Sequence, residues 1–482
     1  MVHFNLLTAS DKVPVQDHCG VVGAYCPEPT QFFSNGLKAI STLQTRGYDG
    51  AGCCVIEKDG TVTEHKGEGM VHEVFAQQKI KKINSVAGQT WIFQVRYGTS
   101  GAISAENVQP FVRTHVKDFQ KCIVAHNGQF SVAVSDQVPD ISDTAIFGDE
   151  LSHSLGNNWD QRIVSTLKKK RGAWSVIIGT SDGMYLSRDP FGIRPLWYGK
   201  LGDTWVAASE TIALEKIGIL KYSEVKPGTI IKISDRGPKV IFSSHPTHFA
   251  HCAFETVYIQ DGASQAHFPR TQKVYKNSTV YEIRERCGEI LAKEQPITVG
   301  EADIAIGIPG TGIAGGIGYA KTLNIPYSQA IIDAVEPQKE QRTFMTAKVN
   351  SILEKVMTHF LFLENELRGK NVVLVDDSLV RGNVMLGLVR LLKEQYAVHQ
   401  VHIRILCPPI DKTCHLGVNT RHTKELIMCQ CEGDIEKICA YVGAESLAYL
   451  SPSGLREAIT GNATAQVFCM GCMVGNTYPV SL

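Results

Sequence analysis

The chain has 482 residues, too many for one ordinary hydrophobic core, and a prior of roughly 150 residues per domain gives two or three domains. Apolar residues make up 43% and charged residues 20%, with 48 Lys plus Arg against 48 Asp plus Glu, so neither nucleic acid nor an anionic membrane surface has an electrostatic claim on it. No apolar run approaches the ~18 residues of a membrane span, no secretory h-region opens the chain, and the 14 cysteines of a protein expected in the cytoplasm need a reading other than a disulfide framework.

Met1 to His18 carries Pro14, scattered charges and no apolar periodicity, and reads as a leader that the fold does not need. The run His18-Cys19-Gly20-Val21-Val22-Gly23 then reads as a first buried strand. Once the leader is removed, Cys19 becomes the first residue. Its thiol and its α-amine, with an ordinary pKa of about 8, then supply nucleophile and general base together. Short β-rich runs follow at Ala51 to Ile56, Trp91 to Arg96, Cys122 to His126, Trp174 to Gly179, Gly183 to Ser187 and Thr204 to Ser209. Helical patterns interrupt them at Phe33 to Thr45 and Asp143 to Leu155. Many short strands with few helices predict stacked antiparallel sheets with helices outside, an α+β layered domain.

Polar residues gather where these strands end: Arg46-Gly47 after the first helix, Arg96 and Thr99 after Trp91 to Arg96, and His126-Asn127-Gly128 after Cys122 to Ala125. Amide hydrolysis by a thiolate needs donors at the developing oxyanion, which the Asn127 side chain and the Gly128 N–H can supply. A free amino acid also needs a cation for its carboxylate and an acceptor for its ammonium, offered by Arg96 and Asp143. The basic run Lys168-Lys169-Lys170-Arg171 before Gly172 reads as a solvated helix end.

The segments HCGVVG, LQTRGYDGAG, QVRYGTSG, NVQPF, VAHNGQF, SDTAIF and SRDPFGIRPLWYG resemble the glutaminase domain of class II, N-terminal-nucleophile amidotransferases. That resemblance implies a four-layer αββα sandwich that hydrolyses glutamine to glutamate and ammonia. It further implies Cys19 as nucleophile, Asn127 and Gly128 as oxyanion hole, and Arg96, Thr99 and Asp143 as glutamine ligands, with Arg46 supporting the nucleophile's surroundings.

Near residue 250 the texture changes to alternating helices and strands: a helix over Val280 to Lys293, a strand over Ala305 to Pro309, and a weak helix over Thr346 to Lys355. After these come a strand over Val372 to Val375, a helix over Met385 to Gln395 and a strand over Val401 to Leu406. This alternation predicts a parallel sheet with helices on both faces. At one strand end, Gly310-Thr311-Gly312 frees backbone N–H groups to face an anion. At another, an aliphatic strand runs into Asp376-Asp377-Ser378-Leu379-Val380-Arg381-Gly382-Asn383. Paired aspartates there suit two ribose hydroxyls or a magnesium ion, and the helix start beyond them suits a phosphate.

This second segment resembles the phosphoribosyl diphosphate signature of type I phosphoribosyltransferases. The order and length of the two halves resemble the glutamine phosphoribosylpyrophosphate amidotransferase family, to which CAFETVYI, RTFM at Arg342, CPPI at Cys407, LAYLSPSGL and FCMGCM also conform. The implied activity is amination of phosphoribosyl diphosphate to phosphoribosylamine, the first step of purine biosynthesis, with magnesium, purine nucleotides as inhibitors and a homotetramer. The implied segments are a propeptide over 1–18, a glutaminase over 19–250, a phosphoribosyltransferase domain over 251–460 and a tail over 461–482.

The chain departs from the family around the acceptor. Pro309 to Gly312 lacks an acidic residue, Asp333 to Gln341 is more acidic than the family's mobile loop with Lys339 and Arg342 as its cations, and Asn383 and Val384 replace threonines. A paralogue aminating another phosphosugar or nucleotide, or a non-enzymatic nucleotide sensor, therefore stays open. Glucosamine-6-phosphate synthase shares a motif like RGYDGAG but not the paired aspartates. The resemblance also implies a four-iron four-sulfur cluster on Cys252, Cys414, Cys469 and Cys472; the C-x-x-C spacing of the last two is a weak signal by itself.

Overall fold

The computed structural model describes residues 19–98, 104–131, 141–246, 248–267, 277–298, 300–334, 356–357, 359–418, 420 and 422–480. Its first half is built from thirteen strands: β1 (Gly20–Thr30), β2 (Gly50–Ile56), β3 (Val62–Glu68), β4 (Gly88–Arg96), β5 (Phe111–Thr114), β6 (Lys121–Phe130), β7 (Gly172–Thr180), β8 (Gly183–Arg188), β9 (Trp197–Leu201), β10 (Thr204–Ala208), β11 (Tyr222–Glu224), β12 (Thr229–Ser234) and β13 (Gly237–Ser243). They form two antiparallel sheets, ordered β11-β9-β10-β1-β4-β2-β3 and β13-β12-β8-β7-β6-β5.

Side-chain alternation explains the layering, because residues two apart on a strand share a face. Val21, Tyr25, Ile92, Ile123, Ala125 and Ile177 fill the layer between the two sheets. The alternate residues face outward: Phe93 and Val95 pack with Phe33, Ala39 and Ile40 of the helix Phe33–Ser41. On the far side, Val124, Val176 and Ile178 pack with Phe147 and Leu151 of the helix Asp143–Ser152 and with Ile163 of the helix Trp159–Leu167. The result is the expected αββα order.

Several boundaries differ from the sequence expectation. The first helix stops at Ser41, and a short 3-10 turn, Gln44–Arg46, replaces its last turn. The strand does not end at His126; Asn127 and Gly128 continue β6, and the three residues pair with Val176, Ser175 and Trp174. The basic run follows a helix that has already ended at Leu167, and Gly172, at φ +118°, opens β7.

The second half holds β14 (His251–Cys252), β15 (Ile304–Gly307), β16 (Ile331–Asp333), β17 (Phe360–Phe362), β18 (Asn371–Asp376), β19 (Gln400–Ile405), β20 (Ser446–Tyr449) and β21 (Phe468–Cys469). The sheet β15-β18-β19-β20 is parallel throughout, as the alternation predicted. The helix Val280–Glu294 starts with a capping box: the Thr279 hydroxyl accepts from Glu282 N, and the Glu282 carboxylate accepts from Thr279 N at 2.8 Å.

The helix Gly312–Leu323 had no counterpart in the sequence reading, because its glycines argue against a helix locally. They serve packing instead. A Cβ on Gly318 would lie 2.1 Å from Glu285 O, so only glycine lets the two helices approach this closely. The expected helix over Thr346 to Lys355 lies outside the described residues. One core runs from Ala250 through the parallel sheet to Met473 and takes in Ala173 and Ile193 of the first half, so the two halves and the tail are packed together.

Candidate active sites

Cys19 immediately precedes β1, and its sulfur donates weakly to Tyr97 O at 3.8 Å. The register that pairs Gly20 with Val95 and Val21 with Gln94 sets Cys19 beside Arg96, with its side chain toward the layer between the sheets. Burial pushes the Cys19 thiol up; hydrogen bonding to the Tyr97 backbone, the Arg96 charge and the Gln94 side chain pull it down, while Asp143 pushes it up.

Across that layer stand Asn127 and Gly128. Asn127 is fully buried, and neither its Nδ2 nor its Oδ1 has a hydrogen-bond partner among the described residues. A buried amide left unpaired costs about 1–3 kcal/mol, which marks it as a ligand-facing group. Gly128 sits at φ +139°, and a Cβ there would lie 2.0 Å from Ala173 O, so the strand needs glycine at this point. Asp143 opens the helix Asp143–Ser152 and accepts from Phe130 N at 2.7 Å. His126 bonds Thr144 Oγ1 at 3.0 Å and stacks on Phe130, and burial lowers its pKa to about 4, so it is neutral.

Arg46 lies against the backbone of Cys19. Its Nε donates to Cys19 O at 3.4 Å, while its terminal nitrogens pair with Glu210 and, at 2.9 Å, with Glu255. Glu255 also takes Arg194 at 3.0 Å, and Arg194 reaches across to Leu416 O at 2.6 Å. Against the push of desolvation, the two arginines hold the Glu255 carboxyl below its ordinary range. Gly417, the next residue, packs on the Gly128 backbone: a Cβ on it would lie 3.0 Å from Gly128 C.

In the second half, Asp376 ends β18 and Asp377 follows it, buried. Asp377 N donates to Asp376 Oδ1 at 2.9 Å, and the Ser378 hydroxyl donates to Asp377 Oδ2 at 3.0 Å. Burial raises both carboxyls; the Asp377 charge adds to it at Asp376, whereas at Asp377 hydrogen bonds from its neighbours and the Arg284 charge work against it. The Gly312–Leu323 helix begins here, and a Cβ on Gly312 would lie 2.5 Å from Val375 O. Gly310 is open on its Cβ side at φ +85°. Arg381 is paired with Glu425 at 2.6 Å, and Asn383 accepts from the Tyr441 hydroxyl at 3.1 Å.

The four tail-associated cysteines are neighbours. Cys252 and Cys469 are register partners in the parallel pair β14 and β21. Burial, with the other thiols adding to it, raises Cys469 and Cys472, and Cys252 is pushed up to about 11. Leu416 N donates to Cys414 Sγ at 3.3 Å. Among the described residues no three His, Cys, Asp or Glu side chains gather as ligands of a single metal ion.

Two domain families match this chain: a glutamine amidotransferase domain over residues 103–216 and a phosphoribosyl transferase domain over residues 280–446. The amidophosphoribosyltransferase of Methanothermobacter thermautotrophicus is 32% identical to it over 97% of this chain and 96% of its own. The chain belongs to the amidophosphoribosyltransferase family. The Mus musculus amidophosphoribosyltransferase is 31% identical over 93% of this chain and 90% of its own. A solved glutamine phosphoribosylpyrophosphate amidotransferase from B. subtilis, in complex with ADP and GMP, superposes with a TM-score of 0.81 at 29% identity, covering 96% of this chain and 98% of that one. Members of this family are enzymes carrying both domains and performing the first step of purine biosynthesis.

Against this family frame, Cys19, Arg96, Asn127, Gly128 and Asp143 come together at one end of the sandwich, and Gly310 to Gly312 come together with Asp376 to Ser378 at the carboxyl ends of β15 and β18. Thr99, Lys339 and Arg342 lie outside the described residues. Arg46, expected in the surroundings of Cys19, commits its guanidinium to two carboxylates and to Cys19 O. Arg381 and Asn383 likewise bond protein groups. Sequence reading missed Gln94, Arg194, Glu210 and Glu255. The first had a local signal, a polar residue at an inward position of an otherwise apolar strand, whereas the ion pairs join residues far apart in sequence.

Proposed function

We propose that this chain releases ammonia from glutamine at Cys19 and adds it to C1 of 5-phosphoribosyl diphosphate, giving 5-phosphoribosylamine, glutamate and pyrophosphate. The observation that carries the reading is the buried Asn127 amide, unpartnered beside Gly128 and across the sheet layer from Cys19. Removal of residues 1–18 frees the Cys19 α-amine, which takes the thiol proton. The thiolate attacks the amide carbon of glutamine, and the Asn127 side chain and Gly128 N–H hold the oxyanion. The C–N bond breaks, ammonia leaves with the proton held by the amine, and water cleaves the thioester to glutamate. Arg96 and Asp143, with Thr99, hold the glutamine backbone charges, and Arg46 fixes the carbonyl of Cys19.

In the acceptor half, Gly310, Thr311 and Gly312 offer backbone donors to pyrophosphate, with Arg342, Arg381, Gly382 and Asn383 completing the anion site. Asp376, Asp377 and Ser378 face the ribose hydroxyls. Asp376 and Asp377 would hold a magnesium ion, whose charge would compensate the burial of two adjacent carboxylates and would supply charge stabilisation to the departing pyrophosphate. Cys252, Cys414, Cys469 and Cys472 would hold a four-iron four-sulfur cluster: the buried thiols are close enough to feel one another, and four thiolates are the usual ligand count for such a cluster. Its role is structural. By the family's pattern, purine nucleotides occupy the acceptor half as inhibitors and the assembly is a tetramer; among the described residues no helix is long and apolar enough to cross a membrane.

A second reading, the same glutaminase serving another phosphosugar, draws on the pairing of Arg381 with Glu425 and on the acidic stretch Asp333 to Gln341. Product analysis with phosphoribosyl diphosphate as sole acceptor separates the two. Phosphoribosylamine formed at the rate of glutamate release supports the first, and glutamate release without it overturns the first in favour of the second.

A further inference from the structure

The layer between the two sheets is apolar along most of its length and turns polar at the end where Cys19 sits. Strand parity places three side chains there besides Cys19 and Arg96. On β4, Gln94 shares its face with Ile92; on β6, Asn127 shares its face with Ala125; on β7, Ser175 shares its face with Ile177, and the three apolar residues all belong to the inter-sheet core. Gln94, Asn127 and Ser175 are each fully buried, and none of their side-chain polar atoms has a hydrogen-bond partner among the described residues. Asn127 is accounted for by the oxyanion. Gln94 is not. Its register partner is Val21, two residues beyond Cys19, so Gln94 lies on the diagonal from Cys19 in an antiparallel pair, a separation that a long side chain can span.

We propose that Gln94 is a catalytic residue whose side-chain N–H donates to the Cys19 thiolate and stabilises it in the buried layer between the sheets. The proposal rests on Cys19 being the nucleophile. A thiolate in this layer has lost its water, and burial alone would leave the group as an unreactive thiol. The charged groups facing it oppose one another: Arg96 on β4 favours the thiolate and Asp143 on the facing helix disfavours it, while Arg46 is held by Glu210 and Glu255 and His126 is neutral. Gln94 tips that balance without adding a charge, and the thiol feels it: the Gln94 side chain pulls the Cys19 pKa down against burial.

The test is the pH profile of Cys19 alkylation by iodoacetamide, followed by mass spectrometry of the peptide carrying Cys19, in the full-chain protein and in Gln94→Met. Replacing the amide by a thioether of similar size is expected to move the midpoint up by about one unit, slow alkylation about tenfold at pH 7, and lower glutaminase kcat similarly, with KM for glutamine within about twofold. Gln94→His, which restores an N–H donor, is expected to recover most of the rate. An unmoved midpoint overturns the proposal. So does a raised KM with kcat retained, since Gln94 would then bind glutamine instead of the sulfur. Should Gln94→Met fail to fold, Gln94→Glu carries the test: its carboxylate is expected to push the midpoint further up, and an unmoved midpoint again refutes the proposal. Cys19→Ala keeps the two ideas apart. Glutaminase surviving in Cys19→Ala removes the nucleophile assignment itself, whereas its loss, with Gln94→Met alkylating as wild type, removes only the role of Gln94.

Discussion

The two candidate sites are prepared for their ligands in opposite ways. Around Cys19, the amides of Gln94 and Asn127 lie buried with no protein partner, held by strands inside a two-sheet sandwich. Around Asp376 and Asp377, the surrounding groups have found one another: Ser378 donates to Asp377, Arg381 pairs with Glu425, and Tyr441 donates to Asn383. A sheet ladder over-determines its side chains and can hold polar atoms unsatisfied at about 1–3 kcal/mol each. A loop at a strand end cannot, so its side chains pair internally until a ligand displaces those partners. One half is preorganised; the other must exchange bonds to bind.

Removing the Cys19 thiol breaks this comparison most directly. In Cys19→Ala, glutamate release from glutamine is expected to fall by about a thousandfold or more, while pyrophosphate release driven by added ammonia stays within about twofold. An equal fall in both would mean that the halves do not work separately.

Next in size is the contact that joins them. Arg194→Ala leaves Glu255 with Arg46 alone, frees Leu416 O and unseats Gly417 from the Gly128 backbone. Breaking a fully buried ion pair of this kind costs about 3–5 kcal/mol, so a drop of that order is expected in denaturant-measured stability. Glutaminase is expected to suffer more than ammonia-driven amination, because the strand that carries Asn127 and Gly128 loses its backing while the strands of the parallel sheet do not.

The acid pair offers a smaller, pH-dependent test. The folded state raises both carboxyls, so it keeps protons that the unfolded chain has released above the ordinary aspartate pKa of about 3.9. The pair therefore subtracts from stability as pH rises from that value toward the folded pKa, and the loss persists above it. Asp376→Asn removes one of the two charges. Its melting temperature is expected to exceed wild type by about 2–4 °C at pH 7.5 and to match it below pH 4. The same variant is expected to lose the stabilisation that magnesium with phosphoribosyl diphosphate gives wild type. A variant less stable at both pH values would show the carboxylate to be a structural acceptor.

How far the sequence carried these sites follows from the range of the forces involved. The β-rich runs Trp91 to Arg96 and Cys122 to His126 are a local property, and with them came the layered sheets and the strand ends; the grouping of Cys19 with Asn127 came from the chemistry of the strand-end residues and the resemblance they carry. The aliphatic strand before Asp376 was equally local. Three features were not. The helix Gly312–Leu323 exists because its glycines meet Glu285 O and Val375 O, contacts made by distant segments. The arginine and glutamate relay from Cys19 O to Leu416 O spans residues 19 to 416, so no window of sequence contains it. Continuation of β6 through an Asn-Gly pair, a strong turn signal, depends on the partner β7 closing the ladder.

The smallest effect belongs to the bond the acceptor half must surrender. Arg381 and Glu425 keep 24% and 33% of their side chains exposed, so their pairing contributes about 0–1 kcal/mol, and Glu425→Gln is expected to melt within about 2 °C of wild type. Binding is where the change should show. If Arg381 leaves Glu425 to meet a phosphate, weakening that partner makes the exchange easier, and KM for phosphoribosyl diphosphate is expected to fall about two- to threefold at unchanged kcat. The gain should shrink as salt rises, since both the old and the new partner of Arg381 are screened. A KM that rises in Glu425→Gln would reverse the assignment: Glu425 would then hold Arg381 in its working position, and the acceptor half would be preorganised like the glutaminase.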